Sequence, residues 1–124
     1  MSVELNHTII QSKDAELSAK FLAEILGLPA PVPYGPFVVV KTSNAVSLDF
    51  RTTSDEIKSR HFAFLVSESE FDEIFNRILN KKLNYWADPG RTKPQQINHN
   101  DGGRGCYFLD PNGHFLEVIT RPYG

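Results

Sequence analysis

The chain writes one pattern twice. HTIIQSKDAELSAKFLAEIL, beginning at His7, aligns with HFAFLVSESEFDEIFNRILN, beginning at His61, at an offset of 54 residues, so that His falls on His and Phe21 on Phe75. Further on, SLDF aligns with FLEV at an offset of 68, which sets Asp49 opposite Glu117. The offsets differ by 14 residues, and a long segment at 88–103 of the second copy, with two prolines and three glycines, absorbs the difference. A duplicated unit constrains the fold more tightly than any composition does, because both copies must accept the same arrangement of elements.

Each copy reads as strand, helix and three strands. Residues 3–10 are rich in β-formers. Asp14 then stands as a helix N-cap before Leu17, Phe21, Leu22, Ile25 and Leu26 at helical spacing, and Gly27 supplies the stop. The proline-dense run at 29–36 suits only an edge strand or a loop. FVVVK at 37–41 and AVSLDF at 45–50 are strands, and the polar run at 52–60 is a linker. In the second copy HFAFLV is a strand, and Ser67 caps a helix with apolar positions Phe71, Ile74, Phe75, Ile78 and Leu79. LNYWA at 83–87 is a short strand, and GCYFLD and HFLEVIT form a hairpin across Pro111-Asn112-Gly113. The expected fold is α+β, with tandem βαβββ modules at 1–51 and 61–124 around the linker.

Side chains alternate across a strand, so parity sorts polar residues by face. Phe62, Phe64 and Val66 form an apolar set suited to packing under a helix, leaving His61, Ala63 and Leu65 opposite. Val46, Leu48 and Phe50 likewise leave Ser47 and Asp49, while Leu116 and Val118 leave Phe115, Glu117 and Ile119. His7 shares its face with Leu5 and Ile9. Two histidines and two acids therefore occupy matched positions, on faces turned away from the helices. Carboxylates gathered in a partly apolar cleft repel one another and lose hydration; a divalent cation removes that conflict.

Composition narrows the setting. At 124 residues, 40% hydrophobic and with nine Phe, the chain fits one domain with a sizeable core. A net charge of −2 gives no electrostatic footprint for nucleic acid. No apolar run approaches the roughly 18 residues of a membrane span, and the polar residues after Met1 do not suit a signal peptide. The lone Cys106 cannot form an intramolecular disulfide, so a cytoplasmic location is expected.

His7, the helix-ending ILGL at 25–28, His61 and, most specifically, DPNGHFLEVITRP at 110–122 resemble the vicinal oxygen chelate superfamily. That superfamily includes glyoxalase I, extradiol dioxygenases, fosfomycin-resistance thiol transferases and bleomycin-resistance proteins. The resemblance spans nearly the whole chain. It implies paired βαβββ modules forming a cupped, barrel-like mixed sheet with the helices outside. It also implies one divalent metal (Fe, Mn, Ni or Zn) held by His7, His61 and Glu117. Asp49 matches a fourth ligand that is normally the longer Glu, and is also the candidate base. Bleomycin-binding members lack such ligands. A homodimer, in some members with modules exchanged between chains, is implied as well.

The chemistry expected is bidentate binding of a small substrate's adjacent oxygens to the metal. A glyoxalase-type lyase or isomerase comes first, with Asp49 and Glu117 as catalytic carboxylates. An Fe(II) extradiol-type dioxygenase is the alternative, with His99 and Tyr107 available as acid–base partners; a non-catalytic small-molecule binder is the third. The loop at 96–105 gathers His99, Asn100, Asp101 and Arg104 among glycines. Arg104 suits either an anionic substrate group or a local ion pair. Trp86 and Tyr85 wall a cavity or fill a core. His114, of opposite parity to Glu117, reads as structural, and Cys106 as buried packing.

Overall fold

The computed structural model describes residues 2–123, which divide into two compact units, one ending at Lys58 and the other beginning at Ser59. Each unit is a four-stranded mixed sheet with one long helix.

In the first unit, strands β1 (His7–Ser12), β2 (Val32–Tyr34), β3 (Phe37–Lys41) and β4 (Ser47–Thr52) take the order β1-β4-β3-β2. β1 and β4 run parallel, and the other pairings are antiparallel. Helix α1 (Ala15–Leu26) opens where the Asp14 carboxylate accepts the Leu17 N–H at 3.2 Å. It closes at Gly27, whose φ of 70° suits a residue without a Cβ. Ala15, Ser18, Ala19, Leu22, Ala23 and Ile25 form its buried stripe. Leu17, expected on that stripe, is instead 54% exposed. The buried face is built largely from small residues, which let the helix lie close to the sheet, and Leu17 falls outside it. The core is completed by Ile10, Val40, Leu48 and Phe50.

Residues 3–6 precede β1 rather than forming part of it, and β4 extends two residues past the expected end, where Arg51 and Thr52 pair with Gln11 and Ser12. The proline-dense segment supplies the exposed edge strand β2.

The second unit repeats the plan. β5 (His61–Leu65), β6 (Tyr85–Trp86), β7 (Gly105–Leu109) and β8 (Phe115–Ile119) take the order β5-β8-β7-β6, with β5 and β8 parallel. Helix α2 (Glu68–Asn80) begins with a full capping box: the Ser67 hydroxyl accepts the Glu70 N–H, and the Glu70 carboxylate accepts the Ser67 N–H. Phe71, Ile74 and Ile78 are buried, as are Cys106, Phe108, Leu116 and Val118. Leu79, expected among the core positions, is 44% exposed, one residue around the helix from Ile78.

The long loop is well tied. Asp88 accepts hydrogen bonds from the backbone N–H groups of Thr92 and Lys93 and from the Thr92 hydroxyl. Asn98 donates to the Ala87 carbonyl at 2.8 Å and exchanges backbone bonds with Gly105. A short 3-10 turn covers Asn100–Gly102. A Cβ on Gly103 would stand 2.5 Å from Thr120 Oγ1, and one on Gly105 3.0 Å from Asn98 Oδ1. These two glycines therefore serve close approach of neighbouring groups rather than a left-handed backbone. Among the described residues, no helix is long and apolar enough to cross a membrane.

Candidate functional site

The repeat survives in the strand register. In the second unit His61 pairs with Phe115 and Ala63 with Glu117; in the first, His7 pairs with Ser47 and Ile9 with Asp49. Each histidine thus lies two positions before the strand partner of its unit's acid. On β5, His61, Ala63 and Leu65 are exposed while Phe62 and Phe64 are half-buried, as alternation requires. On β1, His7, Ile9 and Gln11 form the exposed row and Ile10 and Ser12 the buried one.

In the second unit the histidine and the acid meet. His61 Nε2 lies 3.0 Å from Glu117 Oε1, and its Nδ1 lies 3.0 Å from the Phe115 carbonyl oxygen. A carbonyl only accepts, so Nδ1 carries the hydrogen. The Nε2 lone pair then faces a carboxylate, itself an acceptor. The contact requires a proton shared between the imidazole nitrogen and the carboxylate, or a cation between the two atoms. An imidazole nitrogen and a carboxylate oxygen are donor types that first-row divalent metals take, and His61 Nε2 and Glu117 Oε1 would hold such a cation. The backbone carbonyl behind Nδ1 is the kind of partner that fixes a ligand histidine's tautomer and ring plane.

Tyr107, from β7, is the strand partner of Glu117, which sets its phenol beside that carboxylate. Burial, reinforced by the neighbouring Glu117 carboxylate, pushes the Tyr107 phenol up to about 12, so it keeps its proton at neutral pH. Its ring stacks with His61 at 6.0 Å and with Phe115 at 5.2 Å. Trp86 continues the row, 6.4 Å from Phe115. Tyr85, the neighbouring residue on β6, turns the other way and packs edge-on against Phe75.

In the first unit, His7 Nδ1 bonds to the Asn6 side-chain oxygen at 2.8 Å, and its Nε2 has no hydrogen-bond partner among the described residues. Asp49 is 9% exposed, and its carboxylate has no hydrogen-bond or ion-pair partner among the described residues. The position that Ala63 holds beside Glu117 is taken here by the bulkier Ile9. The structure therefore brings together His61, Glu117, Tyr107 and, through Phe115, Trp86. His7 and Asp49 lie in the other unit. Among the described residues no three His, Cys, Asp or Glu side chains form a group able to hold a metal ion.

The remaining candidates lie apart from this contact. Arg104 donates to Glu68 and Asp72 at 2.8 Å each and lies 4.5 Å over the Phe71 ring. Hydrogen bonds to Asp72 and Glu68 raise its already high pKa further. His99 is exposed at the start of the 3-10 turn. His114 is buried, and its Nδ1 accepts the Arg60 N–H at 3.1 Å. Cys106 is buried, and desolvation, with a smaller contribution from Glu117, lifts its thiol to about 12. A groove of about 490 Å³ on the first unit, lined by Lys20, Leu28, Pro33 and Val38 among others, contains none of the four expected metal residues.

Sequence reasoning missed Arg91. Its guanidinium carbon lies 5.7 Å from the ring centroids of both Trp86 and Phe115. Nothing in the polar run around it marks that placement; only the neighbouring Pro89-Gly90 turn signal hints at a sharply bent backbone.

Comparison with known proteins agrees with this architecture. Oxidase ChaP-H1 is 59% identical, with a TM-score of 0.97 over 99% of each chain. Oxidase ChaP-H2 is 58% identical, with a TM-score of 0.97 over 100% of this chain and 98% of its own. Metallothiol transferase FosB of Shouchella clausii (strain KSM-K16) is 28% identical over 122 residues, 94% of this chain and 79% of its own. Residues 4–118 match the family described as the Glyoxalase/Bleomycin resistance protein/Dioxygenase superfamily, and the chain belongs to that superfamily.

Proposed function

We propose that this protein is a metal-dependent oxidase or oxygenase acting on a small organic substrate that presents adjacent oxygens. The observation that carries the metal reading is the His61–Glu117 contact. Nδ1 is committed to a carbonyl, Nε2 faces a carboxylate at 3.0 Å, and a divalent cation is the economical bridge. His61 and Glu117 would hold it. His7, at the repeat-equivalent position with its own Nδ1 occupied, would be the third ligand, from the same chain or from a partner in a homodimer. Asp49, nine-tenths buried and unpartnered among the described residues, would be a fourth ligand or a base taking a substrate hydroxyl proton. It falls one methylene short of the usual glutamate. When bound, the cation supplies a Lewis acid and, if it is iron, a redox partner for dioxygen.

The residues around the pair have separate tasks. The Tyr107 phenol would steady the Glu117 carboxylate beside it, and the half-buried rings of Phe115 and Trp86, packed with the buried Tyr107, would orient a substrate and exclude water. The sequence alone placed a lyase or isomerase first. The 59% identity to a protein named an oxidase, against 28% to a thiol transferase, supports the oxygen-using alternative ahead of it.

The test is elemental analysis of protein purified without chelator, followed by anaerobic loading with Fe(II) and oxygen-uptake screening on catechols and vicinal diols. Bound iron and substrate-dependent oxygen consumption are expected. Full metal occupancy in a protein carrying both His61→Ala and Glu117→Ala would sink the metal site. Nickel or zinc activity on a hemithioacetal, without oxygen uptake, would return the lyase.

A further inference from the structure

We propose that Arg91 is an anion-recognition residue at the end of the aromatic row leading from His61. It would hold an oxyanion (carboxylate, phosphonate or phenolate) of a planar ligand laid against Trp86 and Phe115. The inference deepens the site reading above and rests on it for the ligand's other end.

The two stacked arginines of the second unit differ sharply. Arg104 lies over Phe71, but its guanidinium is also bonded to Glu68 and Asp72, so its charge is satisfied within the fold. Arg91 lies 5.7 Å from the centroids of both Trp86 and Phe115 and makes no ion pair among the described residues. The nearest acid on its own turn, Asp88, is taken up by Thr92 and Lys93. An exposed guanidinium held only by ring faces is weakly held. An oxyanion offers it charge-assisted, two-pronged hydrogen bonds that the rings cannot.

The turn gives Arg91 its place. Its φ is 58°, a left-handed conformation disfavoured for a residue with a Cβ, and its N–H donates to the Asp88 carbonyl at 3.2 Å. The Asp88 carboxylate clasps the residues that follow. A backbone fixed in this way sets the side chain over the rings. From there the rings are continuous: Trp86 lies 6.4 Å from Phe115, which lies 5.2 Å from Tyr107 and 6.0 Å from His61, and those two are 6.0 Å apart. A planar molecule lying along that row would present one end to Glu117 and the other to Arg91.

Trp86 is the chain's single tryptophan, so its fluorescence reports on this site directly. The metal-loaded protein is titrated with phenylphosphonate and, as an uncharged counterpart, with benzyl alcohol. Phenylphosphonate should bind more tightly than the alcohol. Arg91→Gln should weaken the phosphonate by about tenfold or more and the alcohol by less than about twofold, at unchanged metal content. Arg91→Lys, which keeps the charge but loses the fork, should recover part of the affinity. Equal weakening of both probes would make Arg91 a packing residue and overturn the proposal. So would no effect on either probe, or a wild-type protein with no preference for the phosphonate. Metal retention in the His61 and Glu117 variants, with the Arg91-dependent preference intact, would remove the metal reading and leave the anion site standing.

Discussion

Tyr107 is the antiparallel strand partner of Glu117, whose carboxylate faces His61 Nε2 at 3.0 Å. The pairing keeps a protonated phenol beside the carboxylate whether or not a cation lies next to it. Loss of a group that neighbours a metal ligand typically costs about 10–100-fold in metal affinity. Tyr107→Phe removes the hydroxyl and little volume. Divalent-metal affinity, measured by competition with a chromophoric chelator, should fall by about tenfold while the circular dichroism spectrum is preserved. Unchanged affinity would reduce Tyr107 to an aromatic wall.

Cys106 should be inert in the folded protein. Its thiol is buried, and the shift from 9.0 to about 12 means that the native state keeps its proton where the unfolded chain has lost it. The stabilisation is therefore complete below about pH 9 and drains away as the pH rises toward 12. A disulfide reagent such as dithiobisnitrobenzoate should react only after denaturant is added, and Cys106→Ala should flatten the alkaline loss of stability. Rapid labelling of native protein would contradict the burial.

Arg104→Ala should act on stability. The variant loses the contact over Phe71 and the packing of the arginine stem, which together amount to about 1 kcal/mol, and two salt-sensitive ion pairs besides. Urea unfolding should show the loss, and the difference from wild type should shrink as salt is raised. A large fall in substrate affinity without any change in stability would assign Arg104 to the site instead.

Asp110 carries the turn before β8. One carboxylate oxygen accepts the N–H groups of Asn112 and His114, each at 2.8 Å, and the other accepts the Asn112 amide at 3.1 Å. Because His114 is buried, Asp110→Ala strands a donor away from water and should cost about 2 kcal/mol in chemical denaturation. A cost near zero would mean that water replaces the carboxylate.

Much of this was legible in the chain. The Asp14 and Ser67 caps, the Gly27 stop and the alternation that turns His61 and Glu117 to one face are local signals, and local signals survive folding. Leu17 and Leu79 misled because a periodic apolar residue marks a helix without fixing which sector the sheet covers. The partners of Arg104 lie 36 and 32 residues away on another element, beyond the reach of spacing arguments. Arg91 escaped for a related reason: the clasp made by Asp88 sets its place, and the rings beneath it come from β6 and β8.

The parallel pairing of β5 with β8 joins His61 to Phe115 across 54 residues of chain, so the His61–Glu117 contact spans nearly the whole second unit. During synthesis, the ribosome must release the last strand before this pair can exist. A nascent or prematurely terminated chain displays His61 without its acid. The contact, and any cation site that His61 and Glu117 would form, is therefore complete only once the whole second unit has been made.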